Sequence, residues 1–125
     1  MTSTARAEFV SLLDGLEQIK AAIAELVARQ DGDHRHGVVQ LRRSMAQQLT
    51  DIGAAGERLF ADTAALTTFR SKFNRLRATT AAHQADWPAV LLGERPDAFR
   101  ASAEPMRVAG ADFLQWAREA VRTLT

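Results

Sequence analysis

Apolar residues recur along this chain at spacings of three and four. From about residue 4 to residue 29, Phe9, Leu12, Leu13, Leu16, Ile19, Ile23, Leu26 and Val27 fall on one stripe, roughly 140° wide at about 100° per residue. The spacing predicts an amphipathic helix with one face on a core. Residues 31–37 hold no apolar anchor between Gly32 and Gly37 and read as a connecting loop. A connection of that length reverses the chain, so the next helix runs antiparallel to the first.

From Val38 the spacing continues without a phase break through Leu41, Met45, Leu49, Ile52, Gly56, Leu59, Thr63, Leu66, Phe69, Phe73, Leu76, Thr80, His83 and Trp87. No proline intervenes before Pro88. The stripe drifts back by roughly 20° per heptad, as a heptad seam in a left-handed supercoil does. This continuity favours one very long helix over residues 38–86. The competing reading breaks it near residues 61–65, with Asp62 or Thr63 as an N-cap after a helix closed by Phe60. A continuous helix would overhang a single partner helix by half its length, and a second copy of the chain is the simplest cover. That branch therefore predicts a homodimer.

Asp86, Trp87 and Pro88 mark a stop and restart, because the residue before proline avoids helical backbone and proline suits a first turn. A short turn through Leu92 follows, and Pro96 opens a last helix to about residue 124. Its seam is Phe99, Ala103, Met106, Gly110, Phe113, Ala117, Val121 and Leu124. Pro105 lies inside it, so the helix either kinks or restarts from a Ser102 cap. The whole reads as one all-α domain over residues 1–125, an antiparallel bundle of three to four main helices with coiled-coil-like packing.

Composition supports a packed core: Leu, Ile, Val and Phe make up 29 of the 125 residues, above the roughly 20% below which chains tend to stay disordered. With no cysteine, disulfides, thiolate metal sites and cysteine nucleophiles are excluded. Sixteen basic against 15 acidic residues leave no global field toward nucleic acid or anionic membrane. The first residues lack the apolar stretch of a secretory signal, and no run is long enough to span a bilayer, so the expected location is cytoplasmic. Fourteen arginines against two lysines, with 24 alanines, point to a GC-rich bacterial genome.

Candidate chemistry is sparse. Arg70, Lys72, Arg75 and Arg77 lie in a stretch free of acidic residues, a possible patch for nucleic acid or an acidic partner. On a helix, however, Arg70 and Arg77 fall to one side of the Phe69, Phe73, Leu76 seam and Lys72 and Arg75 to the other. They are expected to flank the core and pair with neighbouring acids such as Glu8, Asp14, Glu17 and Glu25. His34 and His36, beside Asp31 and Asp33, lack the spacing of a metal site and read as a solvated loop, so no metal or cofactor is expected. His83 sits on the seam one turn before Trp87. A neutral histidine bonded to a carbonyl or to a hydroxyl such as Thr80 is one reading, and a small pocket at the bundle end formed by His83, Trp87 and the last helix is the other. Trp116 lies off its helix's seam, where it either packs on a neighbour or marks an interface.

No nucleophile and base can be paired by spacing, there is no phosphate-cradling glycine loop, and no catalytic activity is expected. The sequence is read first as a helical interaction module, acting on another protein or on itself. The alternatives are a small-ligand bundle with a pocket near His83 and Trp87, and a binder of acidic partners or nucleic acid through the basic cluster.

Overall fold

The apolar stripes become four long helices in a computed structural model that describes residues 3–29 and 34–124. In chain order these are α1 (Ser3–Arg29), α2 (His34–Leu59), α3 (Ala65–Asp86) and α4 (Pro96–Thr123), with a single 3-10 turn at Ala89–Leu91. They run up, down, up, down. Helix α1 packs along α2 and α3 along α4, so the all-α bundle consists of two antiparallel hairpins laid against each other. Among the described residues, no helix is long and apolar enough to cross a membrane.

The long middle helix expected from phase continuity does not form. Helix α2 ends at Leu59, and Asp62 takes a left-handed backbone with φ of 63°, a conformation that Asp tolerates better than most residues. Thr63 stabilises the turn with its hydroxyl, which donates to the Phe60 carbonyl at 2.7 Å and accepts from the Ala65 N–H at 3.2 Å. The break near residues 61–65 is thus the correct reading. Because α2 and α1 are 26 and 27 residues long, no half-helix is left uncovered, and the argument for a homodimer built on that overhang falls away.

Two further expectations change. Residues 31–33 lie outside the described residues, but α2 already begins at His34, so His36 and Gly37 are helical rather than loop. Gly37 serves packing: a β-carbon there would stand 2.7 Å from Leu26 Cδ1, so glycine lets α2 approach α1. Of the two outcomes open at Pro105 the restart does not occur: α4 is one helix through Pro105, and the Ser102 hydroxyl bonds His83 instead of capping a restart.

The hairpins lock together at one end through interleaved aromatic rings. Phe9 of α1 and Phe60 after α2 lie 6.3 Å and 5.4 Å from Phe69 of α3. Phe69 stacks on Phe73, which in turn contacts Phe113 of α4 at 5.5 Å. Phe9, Phe60, Phe69 and Phe113 are fully buried, each contributing on the order of 1.5–3 kcal/mol through its buried apolar surface. Arg118 of α4 adds an exposed bridge to α1, bonding Asp14 at 2.8 Å and Glu17 at 2.9 Å.

At the opposite end, the segment between α3 and α4 crosses to α2. Arg42 donates to the Trp87 carbonyl at 2.7 Å, and Arg35 donates to the Leu92 carbonyl at 2.9 Å while pairing with Glu94. Leu92 and Val38 are buried under this crossing.

Candidate functional site

Where the aromatic rings stop, the hairpins do not close on each other. A cavity of about 550 Å³ lies between them, lined by all four helices and by Leu92 and Gly93 of the crossing segment. Its wall is mainly aliphatic: Ile23 and Val27 from α1, Val38 and Met45 from α2, and Phe99, Ala103 and Met106 from α4. These belong to the same three-and-four stripes that close the other end. Met, Ala and Val simply stand where the other end carries phenylalanine.

The polar lining is basic. Lys20, Arg42, Arg100 and Arg107 face the cavity together with His83 and Gln84, and among the described residues no carboxylate belongs to the wall. Arg100 and Arg107 are neutralised by Asp97 and Glu104, each one turn away on α4. Lys20 and Arg42 are not so paired. The Lys20 chain crosses to α4 through the space left by Gly110, where a β-carbon would lie 2.7 Å from its Nζ. Among the described residues it has no hydrogen bond or ion pair, and burial holds its ammonium below the usual lysine range against the opposing pull of Glu17. Among the described residues, half-buried Arg42 hydrogen-bonds only the neutral Trp87 carbonyl, and burial lowers its pKa as well.

His83 is in the wall, as the pocket reading expected, but its partner differs. Its Nδ1 lies 3.0 Å from Ser102 Oγ across the α3–α4 interface, and its ring stands edge-on to Phe99 at 4.8 Å. Thr80, the hydroxyl expected from the sequence, is buried with Oγ1 unpartnered. Burial, then the nearby Arg42 charge, push the His83 pKa below the ordinary histidine value, while Asp86 pulls it up. Trp87 is not in the wall; it lies behind Phe99 at 5.5 Å and closes α3 by donating its N–H to the His83 carbonyl.

The remaining candidates lie outside the cavity wall. Trp116 packs on Phe60 and Phe69 at 5.5 Å and 6.5 Å, within the aromatic cluster. The basic cluster disperses, as its angular spread implied. Arg70 forms a two-point bridge to Glu57 of α2, Lys72 pairs with Asp112 of α4 at 2.8 Å, and Arg77 lies over the Phe73 ring. Arg75 is exposed. The acids differ from those expected, since Asp14 and Glu17 are taken by Arg118, and Glu8 faces Arg58. Among the described residues, no group of His, Asp and Glu could hold a metal ion.

Lys20 and Arg42 were not singled out by the sequence, and Phe99, Ala103 and Met106 were read there as seam positions of the last helix rather than as individual lining residues. The one available signal was Gly110, a seam position without a side chain, which marks a crossing by a long neighbour. Comparison with protein-family models, with curated proteins and with solved structures finds no match to this chain.

Proposed function

We propose that this protein is a non-catalytic, small-molecule-binding helical bundle whose ligand occupies the cavity between the hairpins. The cavity itself carries the reading. At about 550 Å³ it falls within the roughly 300–1,000 Å³ typical of ligand sites, and it has their mixture of apolar wall and a few polar groups. Binding rather than turnover is inferred because Ser102, the hydroxyl held by His83, does not line it. The interaction-module reading drew on a continuous seam, on Trp116 and on the lack of catalytic groups. The seam is divided between two helices and Trp116 packs on Phe60, so the first two premises no longer favour it, and the third is shared by the ligand-binding reading.

A titration with 1-octanol tests the proposal. In a Trp116→Phe background Trp87 is the single indole, and its contact with Phe99 couples it to the wall. A saturable fluorescence change that is lost when Ala103→Phe fills the cavity is the expected result. No saturable change, or one that Ala103→Phe leaves intact, overturns the reading.

A further inference from the structure

Resting on the reading of the cavity as a ligand site, we infer that its ligand is an anionic amphiphile: an elongated apolar body ending in one carboxylate, which Lys20 receives with Arg42 as the second cation. The argument is one of charge complementarity. Among the described residues, four cationic side chains face the cavity and no acidic one does. Two of the four are already neutralised on α4 by Asp97 and Glu104. The nearest acid to Lys20 on its own helix, Glu17, is held by Arg118 of α4, which also takes Asp14. Among the described residues, Lys20 therefore keeps a half-buried positive charge that makes no direct ion pair, its nearest acid Glu17 being engaged by Arg118, and Arg42 keeps one hydrogen-bonded only to a neutral carbonyl.

A half-buried cation loses hydration that a neutral neighbour does not replace, and an incoming carboxylate restores the balance through charge-assisted hydrogen bonds. A cationic ligand would add to the same imbalance. The shape of the site points to the body. Lys20 stands at the end of the cavity nearest the aromatic cluster, and the lining runs from there to Ala28 on α1 and from Arg107 back to Pro96 on α4. At about 1.5 Å per residue these stretches span roughly 12 Å and 16 Å. An extended chain of medium length fits along them, with its headgroup at Lys20 and its body against Ile23, Val27, Met45 and Met106.

Calorimetric titration of the full chain at pH 7.5 with octanoate, 1-octanol and octylammonium, each below its aggregation concentration, tests this. Octanoate is expected to bind about tenfold or more tighter than 1-octanol, with octylammonium weakest. Lys20→Met, which keeps the length of the stem, should abolish the margin of octanoate over 1-octanol. Equal affinities for octanoate and 1-octanol overturn the inference while the cavity reading stands. A margin that survives both Lys20→Met and Arg42→Gln, or octanoate binding unaffected by Ala103→Phe, also overturns it, because the anion is then held elsewhere. Saturable binding of none of the three removes the cavity reading, and the inference with it.

Discussion

The ring of Phe69 fills the space that a side chain at Gly56 would need, so that a β-carbon added at position 56 would overlap it. Phe69 cannot yield easily, because Phe9, Phe60, Phe73, Phe113 and Trp116 surround it. Glycine in mid-helix costs about 1 kcal/mol relative to alanine, and by propensity alone Gly56→Ala would stabilise α2. The overlap outweighs that gain, since overpacking a filled core costs about 1–3 kcal/mol. Gly56→Ala should therefore lower the unfolding free energy in urea, and an increase would contradict the close approach of the hairpins.

Asp62 offers a test of the break between α2 and α3. Its left-handed backbone costs a non-glycine residue about 1 kcal/mol, and the side chain is exposed. Asp62→Gly should raise stability by up to about 1 kcal/mol, as glycine does where φ is positive. Were residues 38–86 one helix, the same substitution would be destabilising, so the sign of the change decides between the two.

Thr80 is buried with its hydroxyl unpartnered. Valine has nearly the same shape and no polar atom to desolvate, and an unsatisfied buried hydroxyl costs about 1–3 kcal/mol. Thr80→Val should raise the melting temperature. A fall would mean that the hydroxyl has a partner in solution.

His83 makes stability depend on pH in a definite direction. Burial and Arg42 of α2 lower its pKa from the ordinary 6.5, Asp86 on α3 opposes them, and Ser102 and Phe99 contact the ring from α4. The unfolded chain thus binds a proton at a higher pH than the folded one. The stabilising contribution is fully present above pH 6.5 and is lost as the pH falls through the lower folded value. Urea unfolding of the wild type and of His83→Gln between pH 7.5 and pH 5 should show the wild type losing its margin on acidification. Parallel profiles would contradict a buried neutral imidazole.

The helical fold was legible because a core-facing helix must repeat apolar residues every three or four positions whatever its neighbours do. The same rule hid the turn at residues 60–64. An antiparallel helix carries the same spacing as a continuation of the first, and here Asp62 and Thr63 turn the chain without the usual glycine or proline. His83 was legible as a polar residue on an apolar stripe. The cavity was not, because a gap between hairpins arises from side-chain volumes summed over four helices: Phe9, Phe60, Phe69 and Phe113 close one end, and Val38, Met45, Ala103 and Met106 leave the other open. Lys20 stayed hidden for a related reason, since its position matters only once Gly110 of α4 is opposite.

The most direct test of the ligand cavity is methyl NMR of the full chain titrated with 1-octanol. The account predicts saturable shifts at Ile23, Val27, Val38 and Met106, all of which line the cavity, and little change at Ile52, Leu59 and Val121 in the packed core outside it. Shifts that fail to saturate, or that are as large at Ile52, Leu59 and Val121, would contradict it.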